Sequence, residues 1–341
     1  MTGRTGVLAG IGAWLPPDLV TNADLADRLD TSDEWIRRRT GIRQRHAVPA
    51  GMAASDLAVE ACSRALKSAE VSQVDAVVLT TSTPDRPLPA TAPAVAARLG
   101  LGTVPAFDVS AVCSGFLYGL AVASGLVAAG TADRVLLVAT EVYSSIVDPL
   151  DRSTAVIFGD GAAAAVLRAG SADEPGALGP VVLGSDGEFG DLIRIPAGGS
   201  RQRVPLEPGD EYFRMAGSEV FRHAVNRMSE ACRQAVTAAG WQLADVERLA
   251  AHQANARILG ALGDELGLPP GHVLSNIDTV GNTGSASVPL LLTQAAADGR
   301  VEPGQRVLLT AFGGGLAWGA TTLTWPAVPA LGPSEHPSRR D

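Results

Sequence analysis

The chain has 341 residues, 46% of them hydrophobic and 18% charged, and a formal net charge of −9 at pH 7. So much apolar material rules out a mainly disordered chain, and the length predicts about two domains or one fold built from two halves. The acidic balance argues against a general nucleic-acid binder, which needs a basic stripe. Lys67 is the only lysine, so no mechanism that needs a second one is available. Three cysteines, Cys62, Cys113 and Cys232, with no CxxC pair, suit neither a disulfide framework nor a zinc site. No long apolar run opens the chain, so no signal peptide is expected, and stretches such as residues 115–127 fall short of the ~20 residues of a membrane span. The expectation is a cytoplasmic protein in a reducing compartment, with no metal, membrane or nucleic-acid partner.

Taken in chain order, the apolar pattern predicts strands at residues 7–11, 75–81 and 134–139 and helices at 54–69 and 114–129. Helices at 219–238 and 287–298 and strands at 248–251 and 306–310 follow. Alternating strands and helices imply sheets covered by helices on both faces. The chain also echoes itself at an offset near 172. RVLLVA at 134–139 returns as RVLLTA at 306–311, and EACSRAL at 60–66 returns as EACRQAV at 230–236. Residues 75–80 match 247–252, and residues 7–12 faintly match 181–187. This is a doubling on the scale of a domain rather than a solenoid repeat. It divides the chain into residues 1–172 and 173–327, leaving a Pro-containing tail, 328–341, expected to be disordered.

Cys62 and Cys232 occupy equivalent helix positions and read as small buried hydrophobes. Cys113 differs, standing where a strand ends, small residues turn the chain and a helix begins. Unpaired N–H groups and the positive helix end there favour the thiolate, so a lowered thiol pKa is expected. The alternative is a buried cysteine at a helix start. A nucleophile needs partners. His46, His223 and His272 read as surface residues and His336 lies in the tail. His252 closes a buried strand, where α/β active sites form, unless it is a satisfied core histidine. VGNTGSAS at 280–287 aligns Ser285 with Cys113. If a pseudo-twofold axis relates the halves, both turns face one centre and Asn282 could aim its amide at the thiol. The three glycines of FGGGLAWG at 312–319 permit close backbone approach and an oxyanion-binding N–H. No phosphate-loop signature follows them, and Gly10 and Gly12 make only a weak dinucleotide signal.

These residues together resemble the β-ketoacyl-acyl carrier protein synthase III family of the thiolase superfamily. The likeness runs from about residue 7 to 324. It rests on TSDEWI at 31–36 with RTGIR at 39–43, DVSAVCSGF at 108–116, DR at 151–152 with FGDG at 158–161, HQAN at 252–255, GNT at 281–283 and FGGG at 312–315. The resemblance implies an α/β thiolase-like fold, two tandem pseudo-symmetric βαβαβαββ halves in five α-β-α-β-α layers. It implies Cys113, His252 and Asn282 as the catalytic set, with Cys113 and Gly315 N–H groups in the oxyanion hole. Cys113 would take an acyl group from acyl-CoA, a substrate rather than a resident cofactor. Decarboxylation of a malonyl-carrier thioester would then supply the attacking carbanion. The CoA tunnel would be lined by Thr31, Trp35, Arg39, Arg152, Gly217, Phe221, Asn255 and Arg257, with adenine between Trp35 and Arg152. The implied assembly is a homodimer in which the segment near Leu88 reaches the partner's acyl pocket.

Four departures from the family pattern carry expectations of their own. Leu88, in place of a larger aromatic, suggests a longer or branched primer. Gly284 replaces a usual Ser and Ala251 a usual Pro, which could loosen the neighbouring catalytic residues. Asp264 and Glu265 put acid on the helix that docks an acidic carrier protein, which should weaken docking although Arg222 and Arg257 remain basic. An acyltransferase handing its acyl group to another acceptor without decarboxylation is therefore the alternative. A non-catalytic partner subunit and a dinucleotide-dependent oxidoreductase are weaker readings.

Overall fold

The computed structural model describes residues 4–333. Two sheets carry the chain. In the first, the strands Arg4–Trp14, Gly161–Ser171, Arg134–Glu141, Ala76–Thr80 and Ala106–Val109 lie side by side in that order. The second sets Val182–Ser185, Ala317–Thr324, Arg306–Gly313 and Arg248–Ala251 in the corresponding order, and Val273 bridges in parallel to Leu249 where a fifth strand would lie. Directions match too. In each sheet the first two pairings are antiparallel and the rest parallel. The internal echoes are thus two copies of one topology.

Ala54–Ser68 and Ala92–Arg98 cover the outer face of the first sheet, and Gly217–Ala238 with Ala256–Leu266 cover that of the second. Gly115–Ala128 and Ser287–Ala297 run between the sheets and touch both. These are the five expected layers. The two central helices have almost no polar side, because a helix walled in on both sides has no solvent face to furnish.

Both faces of the first sheet are buried, so its strands read as unbroken apolar runs. Along Arg134–Glu141, Val135, Leu137 and Ala139 join the central apolar cluster, while Leu136 and Val138 join the outer one. The Ala-rich strand Gly161–Ser171 gave no strand signal in the sequence. Its alanines alternate between the same two clusters, and Ala54–Ser68 packs across it. Small side chains let helix and sheet approach, and this packing overrides alanine's helix preference.

The tail departs from expectation at its start. Ala330–Leu331 pairs in parallel with Ile11 and Gly12 at the edge of the first sheet, and Ser68 Oγ donates to the carbonyl of Pro329. Sheet pairing fixes these residues despite the prolines; residues 334–341, with His336, lie outside the described residues. Among the described residues no helix is long and apolar enough to cross a membrane. With both faces buried, Leu136→Ala and Leu137→Ala should each destabilise by about 2–5 kcal/mol. On a sheet with one wet face only one of them would. Urea unfolding of the two variants measures this.

Candidate active site

Cys113 sits in a 3₁₀ turn, Val112–Ser114, between the strand Ala106–Val109 and the central helix Gly115–Ala128. Val112 has φ +46°, a left-handed conformation that costs a β-branched residue about 1–3 kcal/mol. Ser114 Oγ holds the turn by donating to the Ala111 carbonyl, 2.7 Å away. The end of the Arg306–Gly313 strand closes on the turn from the other sheet. A Cβ on Gly313 would stand 2.7 Å from Cys113 N, so only glycine permits the contact.

The thiol is 7% exposed. Burial pushes it up to about 12, and the nearby Glu141 carboxylate adds to the rise. This corrects the expected lowered pKa: desolvation of the thiolate outweighs the partial charge of the helix start. Cys62 and Cys232 are fully buried in the two outer clusters, as expected.

His252 follows the strand Arg248–Ala251, where its N–H donates to the Thr310 carbonyl (2.9 Å). Its Nδ1 lies 2.6 Å from Ser287 Oγ, at the start of the second central helix. The Gln253 N–H donates to the same oxygen at 3.4 Å; with the Ser287 hydroxyl donating to Nδ1, the ring proton sits on Nε2. Burial lowers the imidazole to about 4, so the ring is neutral. Asn282 uses Oδ1 to accept from the Gly284 N–H at 2.9 Å, and its Nδ2 has no acceptor among the described residues. Backbone bonds to Ile157 and Gly159 hold Asn282 against the Phe158 segment. Both residues keep these hydrogen bonds with Ala251 and Gly284 as their neighbours.

Cys113, His252, Asn282, Phe312 and Gly313 line one cavity of about 40 Å³. Gly315, expected to supply an oxyanion N–H, is exposed and does not line it; the hairpin turn carries it past Cys113, and Gly313 makes the approach. Met215, Val220, Ala254, Ile258 and Asn282 are shared with an adjoining cavity of about 500 Å³, so the two form a single tunnel.

Trp35, Arg39, Gly217, Phe221, Asn255 and Arg257 line the outer part. The guanidinium carbons of Arg39 and Arg152 stand 5.2 and 4.9 Å from the Trp35 ring centroid, and that of Arg257 5.9 Å from Phe221. Asn255 caps Ala256–Leu266 through the Arg257 N–H and donates to the Arg39 carbonyl. Arg152, which also donates to the Asp30 carbonyl, and Thr31 do not line the tunnel. An adenine between Trp35 and Arg152 requires that guanidinium to withdraw from the ring.

His46, His223 and His272, read as surface residues, are half-buried. His46 and His272 bind the backbone carbonyls of Pro16 and Val246. Three site residues escaped the sequence reading: Ser287, Glu141 and Tyr143. The available signal for Glu141 was a carboxylate closing an apolar strand at the sheet end where the site lies.

Residues 107–187 match the family described as 3-oxoacyl-[acyl-carrier-protein (ACP)] synthase III, and residues 236–325 match its C-terminal family. Beta-ketoacyl-[acyl-carrier-protein] synthase III 3 of Streptomyces coelicolor is 59% identical over 330 residues, 95% of this chain and 98% of that protein. The crystal structure of 3-oxoacyl-(acyl carrier protein) synthase III from Pseudomonas aeruginosa superposes with a TM-score of 0.90 at 49% identity, covering 95% of this chain and 99% of the other. The priming β-ketosynthase of the R1128 polyketide pathway superposes with a TM-score of 0.89 at 36% identity, covering 96% and 98%. With its two-sheet duplication, its cysteine turn between the sheets and these relatives, the chain belongs to the β-ketoacyl-acyl carrier protein synthase III family of the thiolase fold.

Proposed function

We propose that this chain is a condensing acyltransferase that loads an acyl group from acyl-CoA onto Cys113 and joins it to a malonyl-carrier thioester, starting a fatty-acid or polyketide chain. The observation that carries this reading is the tunnel, which runs from the arginines around Trp35 to Cys113, His252 and Asn282. Exposed Arg39 and Arg257 at its mouth suit CoA phosphates, Arg152 and Trp35 suit the adenine, and the apolar bore suits the pantetheine arm. At the inner end, His252 Nε2–H and Asn282 Nδ2 are two neutral donors without acceptors among the described residues. They suit the enolate oxygen that develops as CO₂ leaves, because their stabilisation grows with the charge. The Cys113 N–H and the turn beginning at Gly313 would hold the oxyanion of acyl transfer.

The cavity beside Cys113, about 40 Å³, is small, which favours a small primer over the longer one suggested by Leu88. Leu88 itself is 84% exposed, and Ala106–Val109 is an edge strand. Both features suit a homodimer in which sheets join across a twofold axis and Leu88 meets the partner. A cytoplasmic setting suits three free, buried thiols.

A second reading, acyl transfer to another acceptor without decarboxylation, draws on exposed Asp264 and Glu265. Glu265 is partly offset by Arg233 at 3.4 Å. Intact-protein mass spectrometry separates the two. Wild type should gain one acyl unit from acetyl-CoA, Cys113→Ala none, and a malonyl-carrier chase should release a β-ketoacyl product. Loading without condensation would favour the second reading, and no loading would overturn both.

His252→Ala and Asn282→Ala should each slow decarboxylation of the malonyl thioester about 10²–10³-fold while loading persists. Ser287→Ala, which frees His252 Nδ1, should slow the same step by a smaller factor. Release of ¹⁴CO₂ from labelled malonyl thioester measures all three.

A further inference from the structure

Beside Cys113, outside the lining of the tunnel, lies a buried polar cluster that the proposed reaction does not use. Tyr143 is fully buried just beyond the strand Arg134–Glu141. It stacks on Phe158 with centroids 4.5 Å apart and meets Phe213 edge-on at 5.8 Å. Its hydroxyl lies 3.8 Å from Cys113 Sγ, with the Ser82 side chain beside it. Ser82 in turn meets Glu141, through Oγ at 3.4 Å and N–H at 2.9 Å. The Glu141 carboxylate, 0% exposed, further accepts from Ser285 Oγ at 2.7 Å and Thr83 Oγ1 at 3.2 Å. No cation pairs with it among the described residues.

Gly284 makes room for this arrangement. It has φ +54°, and a Cβ there would collide with the Tyr143 ring and stand 3.1 Å from Glu141 Cγ. A side chain at 284 would displace the ring that brings the phenol to the thiol.

We propose that Tyr143 and Ser82 relay the Cys113 proton to Glu141 during acyl loading and return it after condensation. This rests on the acyl-loading reading above. In loading, the Cys113 S–H bond breaks and the proton ends on Glu141. Cys113 sulfur bonds the acyl carbon, the CoA C–S bond breaks, and the CoA thiolate takes a proton from solvent. In condensation the carbanion displaces the Cys113 thiolate, and Glu141 gives the proton back. The net uptake is one solvent proton, the one a decarboxylative condensation requires.

His252 is a poor alternative acceptor. Its Nδ1 is taken by Ser287, and with that hydroxyl donating, its Nε2 carries the ring proton. Burial brings Glu141 up to about 7, where a carboxyl both accepts and returns a proton. The titratable groups facing it are Tyr143 and Cys113. Asp160 is engaged with Ser144 and Val48, and His252 lines the cavity with Cys113.

The test is the rate of single-turnover Cys113 acylation by acetyl-CoA from pH 5 to 9, read by rapid quench and intact mass. Carboxylate is the accepting form, so the wild-type rate should fall as pH drops through about 7. Tyr143→Phe and Glu141→Gln should each lose about 10²-fold, and Glu141→Gln should also lose the inflection near pH 7. A merely structural role would lower the rate without removing the inflection. If Glu141→Gln fails to fold, Tyr143→Phe decides, since it removes one oxygen and keeps the ring over Phe158. Variants that keep the wild-type rate and pH profile would overturn the relay alone. A wild-type enzyme that takes acetyl from no acetyl-CoA would overturn the loading reading and the relay with it.

Discussion

The site depends on the close approach of two backbone turns, Val112–Ser114 and Gly284–Ala286, buried between the sheets. Each occupies the same place in its half, ahead of a central helix. Neither can recede, since the helices behind them are packed between two sheets. Contact at this distance excludes side chains where backbones meet. A Cβ on Gly115 would stand 3.1 Å from the Cβ atoms of Ser285 and Thr80, and one on Gly313 would strike the Cys113 backbone. The duplicated fold thus brings its two equivalent ends to one point, and the catalytic candidates are the residues around it.

The two halves furnish that point differently. Where the first has Cys113, the second has Ser285, which is turned away from the tunnel to donate to Glu141. Where the second has His252, the first ends its strand in Thr80. A symmetric scaffold carries an asymmetric site. One half gives a nucleophile, and the other gives neutral donors held by Ser287 and Gly284.

Burial sets the electrostatics of the whole site. It raises Cys113 and Glu141 and lowers His252, so at neutral pH the thiol and the imidazole are uncharged and Glu141 is poised between its two forms. Such a site holds back the thiolate until substrate arrives and favours donors whose strength appears as charge develops. Charge is confined to the tunnel mouth, where Arg39 and Arg257 are exposed.

Much of this was legible in the sequence. The echoes at 172 residues announced the duplication, strand ends next to small residues singled out Cys113 and His252, because such positions stand at sheet edges whatever the packing, and the repeat position of its turn singled out Asn282. Other features were decided by tertiary structure. The strand Gly161–Ser171 looked like nothing in particular, since a strand buried on both faces has no alternation and alanine favours helix in isolation. Gly315 and Gly313 are indistinguishable in a run of three glycines; only the hairpin places one of them against Cys113. The thiol pKa followed from burial rather than from the helix start. Tyr143 and Glu141 acquire meaning only beside Ser82 and Gly284, residues distant in sequence that the folded chain brings together. Sequence determined which residue types stand at the ends of which elements. Packing decided which ends meet, how dry the meeting point is, and which groups there share a proton.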